Sequence, residues 1–212
     1  MMDYYPVSLN IRNKRCVVCG GGEVACRKVR VLLECGADVE VISPASCREL
    51  EDIAGEGKVQ VHRREYREGD LRGAFVVIAA TDDKDVNRKI AGEAHKAGCI
   101  VNAVDDAESS DFIVPSCLKR GDITIAVSTS GKSPALARKL RTGLESRFGE
   151  EYACLLEIVS QVRREVKLRG LKISESAWQK SLDLGLLTGL IKEGKEAEAK
   201  SMLIQNLVGE MD

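Results

Sequence analysis

A run of three glycines separates the first apolar segment from the first helical pattern, and it constrains the fold more than any other feature. The segment Arg15–Cys19 is short, apolar and rich in valine, which is typical of a strand buried on both faces. It leads directly into Gly20–Ala25, which fits the pattern G-x-G-x-x-A in its required strand–turn–helix setting. There Gly20 permits a tight turn, Gly22 lets a pyrophosphate approach the backbone, and Ala25 lets helix and sheet pack closely. The pattern predicts a nucleotide site; a tight turn without a ligand is the alternative.

Strand and helix patterns alternate through the first half of the chain. Short apolar runs that predict further strands occupy Val39–Ile42, Val59–His62, Phe75–Ala80 and Cys99–Val104. Amphipathic patterns predict helices over 24–35 and 85–96, and a glycine follows each of them. Because strands that alternate with helices form parallel sheets through right-handed crossovers, the predicted class is α/β, a Rossmann-type doubly wound parallel sheet.

The pattern changes near residue 112. Phe112–Leu118 and Ile123–Val127, joined by a turn at 119–122, predict an antiparallel hairpin. Ser133 followed by Pro134 predicts the start of a helix, and a longer helix is expected over 150–169.

Glycines divide the remainder of the sequence. Gly185, Gly189 and Gly194 are expected to break the tail into short helices. We therefore predict a dinucleotide-binding domain over 1–111, a small α+β hairpin–helix region over 112–148, and a helical C-terminal region over 149–212.

Charge and composition exclude several classes of protein. The chain carries 32 Lys plus Arg against 33 Asp plus Glu, so its net charge of -1 gives no overall reason to expect nucleic acid or a membrane surface as partner. The longest apolar run, Ala74–Ala80, is too short for a spanning helix, and the first residues lack the basic and apolar regions of a secretory signal. The eight cysteines are dispersed without metal-ligand spacing. We expect a cytoplasmic protein with reduced thiols and no metal site.

Polar residues follow three of the predicted strands. Thr81 precedes two aspartates at the end of the fourth strand, and Asp105 and Asp106 end the fifth, at the edge where open α/β sheets hold ligands. The segment with Thr81 predicts a lining of the cofactor site, and either of its two aspartates is a candidate N-cap of the next helix. Asp105 and Asp106 predict either a catalytic base or a turn. The second strand ends in Ser43 and Pro44 rather than in an acidic residue for the ribose hydroxyls, which leaves NAD and NADP both open.

One segment of the chain is strongly basic, although the net charge of the whole chain is close to zero. Between Gly131 and Arg147 there are five basic residues and one acidic residue, a local excess of +4. The letters before it resemble a phosphate loop, but Ala126 stands where the first glycine is required, so we reject an ATPase. This excess of positive charge favours a small polyanion as ligand, and a solvated helix face is the alternative. DNA binding is not favoured, because the sequence shows no helix–turn–helix pair with a recognition helix.

Taken together, these residues resemble the siroheme synthase N-terminal domain family, the precorrin-2 dehydrogenases, some of which also act as sirohydrochlorin ferrochelatases. The similarity covers about the first 150 residues and rests on these segments: Tyr5–Val7, Val18–Ala25 with Arg27 and Lys28, Ala79–Asp83, Asn102–Asp105, Phe112–Ser116 and Ser128–Arg141. The resemblance implies NAD-dependent oxidation of precorrin-2 to sirohydrochlorin. It also implies a homodimer, and it assigns the hairpin–helix region 112–148 to dimerisation and to the substrate. Fe²⁺ is then a candidate second substrate, since members of the family differ in whether they chelate.

The resemblance also assigns roles to individual residues. Asp105 takes the catalytic position, and Asp106 is its bystander. The predicted cofactor contacts are Gly20, Gly22, Glu23, Val24, Ser43, Pro44, Ala45, Thr81, Asn102 and Val104. The predicted contacts to the carboxylates of the tetrapyrrole are Ser128, Ser130, Lys132, Ser133 and Arg138. A non-catalytic NAD(H)-sensing module is the alternative function.

Overall fold

The computed structural model describes residues 4–209, which fall into two compact units, one reaching to Val114 and the other starting at Pro115. The first three residues, on which the expectation of no secretory signal partly rests, lie outside the described residues. Within residues 4–209 no helix combines the length and the apolar composition needed to cross a membrane.

The first unit is a five-stranded parallel sheet with helices between its strands. Its elements are β1 (Arg15–Cys19), α1 (Glu23–Glu34), β2 (Asp38–Ile42), α2 (Arg48–Gly55), β3 (Gln60–His62), β4 (Val76–Ala79), α3 (Lys84–Ala97) and β5 (Ile100–Ala103). The strand order β3-β2-β1-β4-β5 places β1 at the centre, with the chain winding outward first through β2 and then through β4. The predicted doubly wound parallel sheet is confirmed.

Two apolar clusters cover the two faces of this sheet. Cys16 and Val18 pack in the cluster that contains the buried side of α1, whereas Val17 and Cys19 pack in the cluster that contains the buried side of α3. This division follows from the strand itself, because successive side chains point to opposite faces. Cys16 and Cys19 therefore cannot share a metal ion, and the described residues contain no group of three or more His, Cys, Asp or Glu side chains that could hold one.

The second unit combines a hairpin with five helices in its described part. Its elements are β6 (Ser116–Arg120), β7 (Ile123–Val127), α4 (Pro134–Glu145), α5 (Glu151–Leu168), α6 (Glu175–Ser181), α7 (Leu184–Lys192) and α8 (Glu196–Gly209). The strands pair antiparallel, and α4 packs on both of them. Buried side chains of α5, α7 and α8 form a separate apolar core.

Two predictions for this unit were wrong in detail. The first hairpin strand begins at Ser116 rather than at Phe112, whose carbonyl accepts a hydrogen bond from Asn102 Nδ2 at 2.9 Å. Gly185 and Gly189 lie inside α7 instead of ending a helix, because the burial of Leu187 and Ile191 offsets their low helix propensity. Gly194, with φ 73°, follows the end of α7 as predicted.

Candidate functional site

A cleft of about 960 Å³ lies where the carboxyl ends of β1, β2 and β4 meet. Its walls are the glycine turn after β1, the loop after β2, the segment after β3, the loop after β4 and one side of α3. The residues that line it are Gly20–Gly22, Ile42–Ala45, Glu65, Tyr66, Glu68, Ala80–Asp83, Val86, Lys89, Gly92, Glu93 and Lys96. Since the strand order reverses next to β1, this is the position at which open α/β sheets bind ligands.

The three glycines of the turn have different surroundings. A Cβ on Gly20, whose φ is +128°, would lie 2.2 Å from the Ala80 carbonyl oxygen. A Cβ on Gly21 would lie 2.0 Å from the Ala45 carbonyl oxygen, whereas a Cβ on Gly22 would meet nothing within 4 Å. The first two glycines are therefore required by the packing of the protein itself, and the third leaves its backbone open.

The start of α1 offers unused hydrogen-bond donors. Gly22 is the N-cap and has no side chain to accept from the first turn. The first backbone bond of the helix runs from Cys26 N to Gly22 O at 3.0 Å, so the N–H groups of Glu23, Val24 and Ala25 have no acceptor within residues 4–209. Three free N–H groups at the positive end of a helix, beside an open glycine, fit the pyrophosphate of a dinucleotide.

The loop after β2 rests on the glycine turn. The buried Ser43 hydroxyl donates to the Ala45 carbonyl at 2.6 Å, and Cys47 N donates to the Gly21 carbonyl at 2.8 Å. Pro44 and Ala45 are exposed and line the cleft. The backbone of this loop therefore forms one wall of the cleft.

Glu40, the acidic residue of β2 nearest this loop, is paired with Arg15 and His62. Its carboxylate accepts from Arg15 Nε and Nη2 at 2.7 and 2.9 Å and lies 3.2 Å from His62 Nε2. The hydrogen bonds from Arg15 hold the pKa of Glu40 below its ordinary value. Glu40 thus stabilises the strands in place of binding a ribose.

The loop after β4 is fixed by a residue that the sequence analysis missed. The amide of buried Asn87 accepts from Thr81 N at 3.1 Å, donates to Thr81 O at 2.9 Å and lies 2.7 Å from the Thr81 hydroxyl. Asp83 is the N-cap of α3, and its side chain accepts from the N–H groups of Asp85 and Val86. Asn87 could have been found only by noticing an amide one turn into a helix, a weak signal.

Glu93 on α3 organises the opposite wall of the cleft. Its carboxylate accepts from the Tyr66 hydroxyl and from Gly69 N at 3.0 Å. Burial, followed by this contact with Glu93, raises the pKa of Tyr66. Lys89 and Lys96 bring cations to the same wall. The sequence pattern of this helix predicts only an amphipathic element and gives no signal that Tyr66, Glu93, Lys89 or Lys96 belongs to a site.

The two aspartates after β5 have different environments. Asp105 has φ 60°, one of three non-glycine residues of positive φ in the described chain, and its exposed carboxylate has no hydrogen-bond partner there. Asp106 accepts from Ser109 Oγ and Ser109 N at 2.8 and 3.2 Å, and these bonds lower its pKa. Asp106 therefore forms the turn, and the turn presents Asp105 to solvent.

The predicted cofactor residues divide into three groups. Those that line the cleft are Gly20, Gly22, Ser43, Pro44, Ala45 and Thr81. Glu23 and Val24 lie in the first turn of α1, next to it in sequence. Asn102 is buried and bonded to the Phe112 carbonyl, and Val104 N donates to the Ala79 carbonyl at 2.9 Å. These last two residues belong to the β5 end and not to the cleft.

The predicted substrate residues lie in the second unit, four of them in the loop before α4 and the fifth, Arg138, on α4 itself. Ser130 has φ 52°, and its N–H donates to Ser128 Oγ at 3.1 Å. The Ser133 hydroxyl caps α4 by accepting from Leu136 N. Lys132 and Arg138 are exposed and form no ion pair with any residue from 4 to 209. The loop and the beginning of α4 therefore offer two cations without ion-pair partners in the described residues, together with the Ser128 hydroxyl.

A parallel sheet wound both ways from β1, with an open glycine turn and a free helix N-terminus at the point of reversal, defines a dinucleotide-binding protein of the Rossmann class. The chain belongs to the family described as "Putative NAD(P)-binding", whose model matches residues 7–116. A second family model, "Sirohaem biosynthesis protein central", matches residues 120–147.

Known proteins resemble the chain over nearly its whole length. The siroheme synthase of Nitrosococcus oceani is 38% identical over 210 residues, which are 98% of this chain and 45% of that protein. The siroheme synthase of Chromobacterium violaceum is 38% identical over 94% of this chain and 43% of its own length. The chain thus spans less than half the length of these curated relatives.

A solved structure, "SirC, precorrin-2 dehydrogenase", is 25% identical with a TM-score of 0.73 and covers 97% of this chain and 100% of its own. The resemblance to the siroheme synthase N-terminal domain family is confirmed. A nicotinamide cofactor is confirmed as a class, without a distinction between NAD and NADP.

Proposed function

We propose that this chain is an NAD-dependent precorrin-2 dehydrogenase that oxidises precorrin-2 to sirohydrochlorin. The observation that carries the proposal is the match to a solved precorrin-2 dehydrogenase, which covers 97% of this chain and 100% of that one. When bound, the nicotinamide cofactor would accept a hydride from the reduced macrocycle, and a proton must leave the macrocycle at the same time.

The residues of the chain supply placement and a proton acceptor. The N–H groups of Glu23, Val24 and Ala25 would bind the pyrophosphate, and Gly22 would let it approach. The Asp105 carboxylate, exposed and unpaired within the described residues, would take the proton at Oδ. A backbone with positive φ at an aspartate is strained, and such strain is often found at residues held for function.

The charge of the cleft favours NAD over NADP. Five acidic residues line it, Glu65, Glu68, Asp82, Asp83 and Glu93, against the two lysines Lys89 and Lys96. A 2′-phosphate adds negative charge to a site of net negative charge, which costs binding energy. Titration of the protein with each dinucleotide should give a Kd for NADP at least about tenfold higher than for NAD. Equal affinities would contradict this preference.

The basic segment from Ser128 to Arg138, which comprises the loop before α4 and the beginning of that helix, suits the substrate. Lys132 and Arg138 are exposed cations without ion-pair partners in the described chain, and precorrin-2 carries several carboxylates. Charge-assisted hydrogen bonds from Lys and Arg to carboxylates are stronger than neutral ones. We therefore assign this segment, with the hydroxyls of Ser128, Ser130 and Ser133, to the substrate.

The test is turnover under anaerobic conditions. Protein, precorrin-2 and NAD should yield sirohydrochlorin absorbance; no product would reject the enzyme and favour an NAD(H)-sensing module.

Asp105→Asn should lower kcat by at least about 100-fold while the Kd for NAD changes less than twofold. Asp106→Asn is the matched control, because an amide oxygen can still accept from Ser109. Unchanged turnover of the Asp105 variant would remove it from the mechanism.

Iron insertion and cytoplasmic location stay predictions from the sequence. Fe²⁺ would enter as a substrate, with Asp105 as the base that takes the pyrrole protons. Insertion of Fe²⁺ or Co²⁺ into sirohydrochlorin should exceed the rate without protein. An equal rate would leave the chain a dehydrogenase alone.

A further inference from the structure

The cleft continues from the glycine turn along one side of α3. The residues of this helix that line it are spaced so that they share one face: Val86, Lys89, Gly92, Glu93 and Lys96. From Val86 to Lys96 the helix rises by about 15 Å. The cleft is therefore long enough to hold more of a ligand than the pyrophosphate at the turn.

Gly92 is an unfavourable residue for its place in α3. It lies in the interior of a helix that runs from Lys84 to Ala97, where a glycine is destabilising relative to alanine. A Cβ on Gly92 would meet nothing within 4 Å, so no contact among residues 4–209 requires a glycine there. Because this position lines the cleft, the missing side chain leaves the helix backbone open to a bound group.

Hydrogen bonds next to Gly92 join the two walls of the cleft. The Tyr66 hydroxyl, on the segment after β3, donates to the Glu93 carboxylate on α3. The same carboxylate accepts from Gly69 N at 3.0 Å, and Leu71, two residues later, is fully buried in the apolar cluster beside α3. These contacts fix the distance between the Tyr66 wall and the helix face that carries Gly92.

The end of β5 does not contribute to the cleft. Among residues 4–209, those that line the cleft include none that follows β5, where Asp105 lies. If Asp105 takes the proton while the cofactor takes the hydride, the nicotinamide must lie near Asp105, because both leave the same macrocycle. The nicotinamide half then extends from the turn toward β5, and the cleft is left for the adenosine half.

We propose that Gly92 determines the specificity of the cleft for an adenine dinucleotide, and that Glu93 is a positioning residue that holds the Tyr66 wall at the matching distance. The adenosine half lies along α3, since a flat base can approach a helix backbone closely only where no side chain intervenes. The inference rests on the proposed function, which places the nicotinamide near Asp105.

The test adds a side chain at Gly92. Gly92→Leu replaces a poor helix former with a good one, so the midpoint of urea unfolding should not fall. The Kd for NAD and the Kd for ADP-ribose, which has the adenosine half but no nicotinamide, should each rise at least about tenfold because the leucine enters the cleft. Ala97→Leu is the matched control and should change neither Kd, because Ala97 is exposed on the same helix outside the cleft.

The two ligands separate the outcomes. Unchanged Kd values for both ligands in Gly92→Leu would overturn the proposal. A rise for NAD alone would place the nicotinamide half against Gly92 and would overturn it as well. A parent protein that binds both ligands but does not oxidise precorrin-2 would contradict the proposed function, and the rise in both Kd values would still assign Gly92 to the adenosine half.

A second pair of variants tests the positioning role of Glu93. Glu93→Ala should raise the Kd for NAD and for ADP-ribose about tenfold, because Tyr66 and Gly69 lose their acceptor. Glu93→Gln should restore both values to within about twofold of the parent, because its amide can accept from Gly69 N and donate to the Tyr66 hydroxyl oxygen. Urea unfolding checks that both variants are folded. An equal loss of affinity in the two variants, or no loss in Glu93→Ala, would remove the positioning role.

Discussion

Single atoms decide what each glycine of the turn permits. Gly21 faces the Ala45 carbonyl, a backbone atom that cannot turn aside, whereas Gly22 faces open space and has an ordinary φ of -76°. The pattern G-x-G-x-x-A treats Gly21 as a free position, so the sequence analysis did not single it out. Its requirement comes from a loop more than 20 residues later, a contact that local spacing cannot reveal.

Two alanine variants separate folding from binding at this turn. Gly21→Ala should lower the free energy of unfolding by about 2 to 4 kcal/mol, because the added Cβ forces the backbone apart. Gly22→Ala should leave stability within about 0.5 kcal/mol and raise the Kd for NAD, because its Cβ enters the open space beside the helix N-terminus. Urea unfolding and NAD titration of both proteins check this. Equal stability of the two variants would contradict it.

Two serines of α6 make a matched pair for stability. The Ser181 hydroxyl is buried and has no hydrogen-bond partner among residues 4–209, whereas the Ser174 hydroxyl caps the helix by accepting from Ala177 N at 3.1 Å. Ser181→Ala should raise the free energy of unfolding by up to about 1 kcal/mol, because an unsatisfied polar group is removed. Ser174→Ala should lower it by about 1 kcal/mol. Denaturant titrations of both variants provide the measurement, and destabilisation by Ser181→Ala would count against this account.

Secondary-structure elements were predictable where one periodicity dominates. The first strand was predicted at the bounds that β1 has, because its apolar run ends at a glycine turn. The helix α2 was not predicted, since Leu50 is its only fully buried side chain and carries too little pattern. The sequence predicts a break at Gly185 and Gly189, yet both lie inside α7. Their low helix propensity is offset by tertiary burial of neighbouring side chains, which the sequence does not display.

The strand β2 provides a test of an element held by charge. Arg15 binds Glu40 and also donates to the carbonyls of Asp70 and Arg72, so the pair joins two strands to the segment before β4. Glu40→Gln should lower the free energy of unfolding at pH 7 by about 1 to 2 kcal/mol and leave the Kd for NAD unchanged. A weaker NAD affinity would instead place Glu40 at the ribose.

The same pair sets a pH dependence. The folded-state pKa of Glu40 lies below its ordinary value of 4.5, so the unfolded chain binds more protons between the two values. The stability from this pair is therefore present above pH 4.5 and is lost as the pH falls through the lower folded-state pKa. Unfolding at a series of acidic pH values should show a smaller loss for Glu40→Gln than for the parent chain.

For the whole molecule, the second unit leaves apolar surface uncovered. Leu136 and Leu140 on α4 are 50% and 49% exposed, and the hairpin is a sheet of only two strands, which is rarely stable alone. Both features favour the homodimer that the family resemblance implies.

Sedimentation should therefore find a dimer of the full chain. Leu140→Glu should shift it toward monomer, because a charge would be buried at the apolar contact. Leu168→Glu is the control. Leu168 is 81% exposed and is the last residue of α5, so it is not part of the exposed surface of α4 that the test addresses. A monomeric parent chain, or equal dissociation of both variants, would argue against this interface.

The glycine turn also bears on how such chains can diverge. Gly20 and Gly21 are needed whether or not a ligand binds, since their missing side chains make room for the Ala80 and Ala45 carbonyls. A related protein that no longer binds a cofactor would still need Gly20 and Gly21 in order to fold. Of the three glycines, only Gly22 could then be replaced without loss of stability. We therefore expect that related sequences which keep Gly20 and Gly21 but have a side chain at the position of Gly22 belong to proteins that no longer bind a dinucleotide.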